Sequence, residues 1–337
     1  MDYPKQKLSK YQIEEIKKFN NNIKVKFENT PCLNCQSNND QILFKNDRYG
    51  FKLITVICKK CGLIYSNPRM TKDSTNYFYE SNTYRDIYVG KSEDIRANAD
   101  IKFNTIFSLE KKNKINMNKY YDQLFFDIIN SLNLEYESVC EIGAGCGWNL
   151  KPLKQIGKKV YGYEPSKLLS NYAKEKNINI INGSSNNIRG EYDLVILRHV
   201  FEHFLNPIED LKNLRKHIKK YIFVEVPGCI NKLPELQNAH NLNFSMNTLG
   251  QILNKCGFKK IYFDYCRSNE FIFAVFEKVD KIDSFKYSYE DEVKRVLNIY
   301  KKFCINFKIR KMIKKINPNL EETIIKIAKK LKSFKNK

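Results

Sequence analysis

The stretch "VCEIGAGCGWNL", which begins at Val139, constrains this chain more than any other. A short apolar run ends in Gly143, Gly145 and Gly147, and a helix-like segment follows. Glycines so spaced let the backbone turn sharply and let a ligand approach without side-chain interference. The dinucleotide fingerprint G-x-G-x-x-G is not met, because Trp148 holds its last position. A tryptophan there obstructs a pyrophosphate, and Glu141 sets a negative charge where a diphosphate would lie. A carboxylate suits a ligand that carries positive charge. A second acid, Glu164, ends the next strand-like run, 17 residues beyond Gly147. There it can accept hydrogen bonds from both hydroxyls of a ribose. Together these features specify a nucleoside with a cationic neighbour and no phosphate.

Around the loop, strand-like and helix-like segments alternate from about residue 136 to 278. "SVCEIGAG", "KKVYGYEP", "YDLVILR" and "YIFVEVPG" are apolar runs, each followed by a polar or helical stretch. The alternation predicts an α/β fold, a parallel sheet with crossover helices. Near its end "KKIYFDYC" and "EFIFAVFEK" are separated only by "RSN". That gap suits a hairpin, so the final strand is expected to run antiparallel.

S-adenosylmethionine fits the ligand description, and the sequence resembles the class I S-adenosylmethionine-dependent methyltransferases. The resemblance covers about residues 136–278 through "EIGAGCG", "YGYEP", "YDLVILRHVFEHFLNP" and "NAHNLNFSMNTLGQILNKCGF". It is closest to the branch with an N-terminal CxxC…CxxC module, common among sugar- and small-metabolite-modifying enzymes. The resemblance implies a Rossmann-like, seven-stranded, mostly parallel sheet with an antiparallel last strand and the cofactor across its C-terminal edge. Carried over by motif, Gly143, Ala144, Gly145 and Gly147 pass along the methionine and ribose, beside Glu141. Glu164, followed by Pro165, holds the ribose. Arg198 and His199 close the fourth strand at the cofactor edge. "INGSSNNI" lies beside the adenine; where many relatives have an aspartate, this chain offers Ser184 and Ser185.

"LRHVFEHFLNP" contains His-x-x-Glu-His, from His199 through Glu202 to His203. Alone, that spacing is the inverted signature of a zinc peptidase. The glycine loop and the strand ending just before His199 argue against a peptidase. Ligands of open α/β sheets bind beyond the carboxyl ends of strands, so His199 faces the site by position. A helix starting there would put Glu202 and His203 on the same face. Transfer of an activated methyl group is an in-line displacement dominated by positioning. A sugar hydroxyl is a poor nucleophile that a general base assists. His203, His240, His199 and Glu202 are the catalytic candidates. His203 and His240 suit the acceptor side, whereas His199 and Glu202 could equally be structural.

Cys32-x-x-Cys35 and Cys58-x-x-Cys61, 22 residues apart, can bring four thiolates around zinc. Four protein ligands close the site, so the zinc is expected to be structural. The remaining six cysteines are scattered, which does not describe a disulfide framework. The aromatic run "YFYESNTYRDIY", from Tyr77 to Tyr88, is expected to close over the pocket as a lid. The expected organisation is a zinc-binding module at 1–75 and a helical linker or lid at 76–135. The methyltransferase domain at 136–278 and a basic helical tail at 279–337 follow.

A net charge of +22 invites a nucleic-acid partner, and an RNA methyltransferase is the second reading. Only 10 of the 59 basic residues are arginine, however, and lysine lacks the flat fork that reads bases. A sugar or sugar-nucleotide substrate is the preferred partner. From Lys301 to Lys337 there are 13 basic and 2 acidic residues, and Ile324, Ile325, Ile327, Ala328 and Leu331 give this tail an apolar side. It is expected either to cap the body or to touch an anionic membrane surface. No run of 18 to 20 apolar residues occurs and the N-terminus is polar, so a cytoplasmic location is expected.

Overall fold

A computed structural model describes residues 2–81, 83–88, 92–104, 123–229, 233, 236–266, 271–281 and 288–316. The N-terminal part opens with α1 (Lys10–Asn20) and continues through β1 (Phe27–Glu28), β2 (Asp40–Phe44), β3 (Thr55–Cys58), β4 (Ile64–Ser66) and β5 (Arg69–Met70). Helices α2 (Lys72–Glu80), α3 (Thr83–Tyr88), α4 (Ser92–Asn104) and α5 (Gln123–Ser131) lead into the larger domain. Helix α2 starts at Lys72, where the Thr71 hydroxyl accepts from Ser74 N and satisfies an end group of the first turn.

The larger domain runs β6 (Ser138–Ile142), α6 (Leu150–Gln155), β7 (Lys159–Glu164), α7 (Lys167–Glu175), β8 (Ile180–Asn182), β9 (Tyr192–Arg198), α8 (Pro207–Arg215) and β10 (Ile218–Pro227). It closes with β11 (Leu242–Asn243), α9 (Met246–Lys255), β12 (Phe258–Cys266) and β13 (Phe271–Lys278) before the long α10 (Tyr289–Ile316). Seven strands form one sheet in the order β12-β13-β10-β9-β6-β7-β8. β6, β7, β8, β9 and β10 pair in parallel, while β13 is antiparallel to both of its neighbours. The order reverses at β6, so a crevice opens at the carboxyl ends of β6 and β9. β6, β9 and the Ile222–Val226 stretch of β10 are buried along nearly their whole length, as a sheet covered by helices on both faces demands.

A second sheet, ordered β11-β4-β3-β2, carries the cysteines. Its outer strand comes from the larger domain: Leu242 pairs with Tyr65 and Asn243 with Ile64. Ser66 N donates to Asn241 O (3.0 Å) and Ser66 Oγ to His240 O (3.1 Å). Buried Asp47 accepts from Asn238 N (2.8 Å). The cysteine module therefore holds residues 238–243 in place. Of the tail, the expected helix is present as α10; Ile324, Ile325, Ile327, Ala328 and Leu331 lie outside the described residues, as does the "RSN" link.

Candidate active site

The glycine loop leaves β6 and folds back onto β7. Gly143 N and Ala144 N both donate to Tyr163 O, at 2.7 and 3.1 Å. All three loop glycines have positive φ, between 56° and 79°. A β-carbon on Gly143 would lie 2.5 Å from Val200 Cγ2, and one on Gly147 2.8 Å from Ile178 Cγ2. On Gly145 it would meet nothing within 4 Å. Two glycines are thus required for packing, while Gly145 faces open space where a ligand can lie against the backbone. Next to it stands Glu164, which accepts from Gly145 N (2.9 Å) and Ser166 N (2.8 Å). These donors aim the carboxylate over the loop. Arg85 of α3 adds a 2.7 Å ion pair to the same carboxylate, so the aromatic N-terminal segment reaches the cofactor edge.

Glu141 turns inward. Its Oε1 accepts from Asn149 Nδ2 (2.6 Å), while Asn149 Oδ1 accepts from Arg198 Nη1 (2.5 Å). Arg198 then pairs with Glu225 through Nε and Oε2 at 2.6 Å, and it lies over the rings of Phe125 and Trp148. Arg198 and Glu141 sit in this buried chain beneath the crevice. Asn149 and Glu225 were missed from sequence. The available signal was a lone acid inside the apolar strand "YIFVEVP" and an asparagine opening the helix after the glycine loop. Ser184 caps a 3-10 turn at Ser185–Asn187 and accepts from Asn186 N (3.3 Å). Ser184 and Ser185 stand in the loop following β8, at the carboxyl edge, and Pro165 directly follows Glu164.

The expected helix beginning at His199 is not formed. His199 has φ +55°, and only a single 3-10 turn, Phe201–His203, follows. The chain resumes as a helix at Pro207, since the residue before a proline is held out of helical conformation and proline itself suits a first turn. Glu202 still reaches back to His199: Nδ1 lies 3.6 Å from its Oε1, and His199 Nε2 lies 3.4 Å from Glu225 Oε1. Burial works against the imidazolium, yet Glu202 and Glu225 together raise His199 to about 9. Glu225 responds in kind. Burial pushes it up, but Arg198 and His199 pull it down to about 2. His199 is 37% exposed and so presents this clamped cation to the crevice.

His203 faces the other way, among groups from three distant segments. Its Nδ1 donates to Ala239 O (2.8 Å), with the Tyr79 hydroxyl oxygen 3.0 Å from the same nitrogen. A carbonyl can only accept, so neutral His203 carries its proton on Nδ1 and its lone pair on Nε2. The His240 ring stands 4.9 Å away, and the Tyr79 and Tyr84 rings lie 6.0 and 6.1 Å off. Burial, then His203 and His199, lower His240 well below the usual histidine range and keep it neutral. Its Nε2 lies 3.8 Å from Glu202 Oε1 and touches the Gln237 amide. Burial, then Glu202, pushes Tyr84 to about 12, so the roof is uncharged. Glu202 is 1% exposed, and neither oxygen accepts a hydrogen bond among the described residues.

Among the described residues, two groups could hold metal. Glu202, His203 and His240 each bring a ligand atom within 4.8 Å of the others. In the cysteine module the match is tighter: Cys32 Sγ lies 3.5 Å from Cys61 Sγ, and Cys35 Sγ 3.5 Å from Cys58 Sγ. A tetrahedron with zinc–sulfur bonds of about 2.3 Å has edges of about 3.8 Å, so the four thiols fit zinc after a small adjustment.

Residues 117–262 match a family model described as a methyltransferase domain. No curated protein matches the chain significantly. Among solved structures, a magnesium protoporphyrin IX methyltransferase from Synechocystis PCC 6803 with bound SAM is 17% identical. The alignment covers 59% of this chain and 97% of that one, at a TM-score of 0.42. A S-adenosylmethionine-dependent methyltransferase from Clostridium acetobutylicum is 10% identical over 55% of this chain and 98% of its own, at 0.43. A SAM-dependent methyltransferase from Aquifex aeolicus is 19% identical over 46% and 89%, at 0.39. The family match falls on the segment that carries the sheet reversal, the open Gly145 face and the Glu164 carboxylate. Residues 117–262 thus form a methyltransferase domain on a seven-stranded sheet of class I order, which makes the chain a methyltransferase.

Proposed function

We propose that this enzyme methylates a hydroxyl oxygen of a sugar, nucleotide-linked or in a glycan precursor, with carbon the next acceptor atom. The observation that carries this reading is Glu202, a buried carboxylate that accepts no hydrogen bond among the described residues, beside two histidines and near tyrosine rings. Buried carboxylate oxygens without hydrogen bonds are costly even beside a cation, and a polyhydroxylated ligand supplies the donors. The same ligand offers C–H faces to Tyr79 and Tyr84. A product destined for a surface polysaccharide is consistent with that substrate class.

Glu164 holds the ribose hydroxyls, while Gly143, Ala144, Gly145 and Gly147 let the methionine pass, and Glu141 and His199 flank the loop. The cofactor supplies a methyl group already activated for displacement. His203 accepts the acceptor proton at Nε2, because Ala239 O holds the other ring proton on Nδ1. His240, neutral and buried, sets the far wall, and Glu202 orients the sugar. Residues 76–135 serve as the lid and 136–278 as the catalytic domain. The 1–75 module, with structural zinc on Cys32, Cys35, Cys58 and Cys61, fixes the loop that carries His240. Reduced thiols in that role fit the cytoplasm.

The test is methyl transfer from labelled S-adenosylmethionine to a panel of nucleotide sugars and to mixed RNA. Transfer to a sugar, reduced by His203→Gln with cofactor binding intact, supports the reading. Labelling of RNA alone would sink it.

A further inference from the structure

Helix α10 has two unlike halves. The first is packed: Val296 and Ile299 are buried with Leu43, Phe44, Ile57 and Ile64, and Tyr300 donates its hydroxyl to Leu43 O (3.0 Å). Phe303 stacks on Tyr3 at 5.6 Å. Beyond Phe303, Phe307 stacks on it at 6.4 Å and is half-buried, but a second apolar row faces solvent. Ile305, Ile309 and Met312 are 57%, 48% and 63% exposed. Spaced by four and three residues, they form one stripe. At 100° per residue Lys302 and Lys308 stand about 60° to either side of Ile305. Lys301, Arg310 and Lys311 are exposed as well. No acid occurs between Glu292 and Glu321.

We propose that this half of α10 lies on an anionic membrane surface, its stripe sunk at the headgroup boundary and its lysines on lipid phosphates and carboxylates. The charge pattern selects the occupant. An apolar stripe flanked by cations and free of acids complements an anionic, apolar-backed surface. A nucleic acid would use the lysines and leave Ile305, Ile309 and Met312 in water. The packed half anchors the helix to the body, so the enzyme would be held beside the membrane, not inserted; no described helix is long and apolar enough to cross one. This inference is independent of the sugar reading.

The experiment is co-sedimentation of full-length, zinc-loaded protein with vesicles of phosphatidylcholine alone and of phosphatidylcholine with phosphatidylserine. Mixed RNA is tested in parallel. Binding to the anionic vesicles only is expected, weakening as salt rises. Ile305→Glu with Met312→Glu should lower it tenfold or more, and Lys308→Gln with Lys311→Gln at least fivefold. Both pairs are solvent-facing, and circular dichroism checks that the fold survives. Failure to bind anionic vesicles, equal binding to both vesicle types, or binding indifferent to the two glutamates would overturn the proposal. So would RNA binding without vesicle binding, or a change of oligomeric state as the only effect of the glutamates.

Discussion

The two halves of the crevice are built on opposite principles. The cofactor half is made mainly by residues 141–166, with Arg85 reaching in, and each of its carboxylates has a donor: Glu164 has Gly145, Ser166 and Arg85, and Glu141 has Asn149. The acceptor half is assembled from side chains at 79, 84, 202, 203 and 240, and its central carboxylate accepts no hydrogen bond among the described residues. A ligand shared by many enzymes is met by prearranged backbone, and the variable ligand by side chains whose partners it must bring. If so, damage on one side should leave the other side's parameter intact.

The largest effect should come from outside both halves. With the proposed zinc on the four cysteines, chelation, or replacing Cys58 with Ser, should unfold the cysteine module, because so small a sheet would depend on metal binding worth on the order of 10 kcal/mol. Since Ser66 and β4 hold residues 240–243, the acceptor half should be lost with it. Calorimetry should show cofactor binding weakened far less than transfer. Equal loss of both would break the comparison.

Within the crevice, His203→Gln should reduce kcat by about a hundredfold or more, the usual worth of a general base, and leave cofactor affinity unchanged. The glycines supply the reverse case. Gly145→Ala meets no atom, so it should destabilise only by about 1 kcal/mol through its positive φ while placing a methyl in the cofactor's path. Gly143→Ala drives a methyl into Val200 and should lower the melting temperature more. Thermal melts with and without S-adenosylhomocysteine separate the two effects.

The glycine loop and the Glu164 carboxylate beside it were legible because a strand, a turn and the next strand hold such residue types at fixed short spacing. The parallel sheet followed from the alternation of strand-like and helix-like runs, and the antiparallel β13 from the three-residue gap before it. What stayed hidden depends on tertiary contact. Nothing local says that Asn149 and Glu225 link Glu141 to His199, or that Tyr79 meets His203 across 124 residues. The HxxEH spacing misled for the same reason. It predicts a helical face, but Pro207 delays the helix, and His199 and His203 end up serving different halves.

His199 gives the subtlest test, since it belongs to the wall between the halves. Its folded pKa, about 9, lies above the unfolded value of about 6.5. Its contribution to stability is therefore fully present below about pH 6.5 and lost as pH rises through about 9. With over a third of the residue open to solvent, the effect should be modest, about 1 kcal/mol. Wild-type denaturation midpoints should fall between pH 7 and pH 10, and His199→Gln should flatten that slope while lowering stability at pH 6. Glu225 sharpens the sign: held at about 2, it adds stability above its ordinary range and loses it only as pH falls toward 2. A variant that keeps the alkaline slope would show that the cation between Glu202 and Glu225 is not the wall's support, and the two halves would have to be joined some other way.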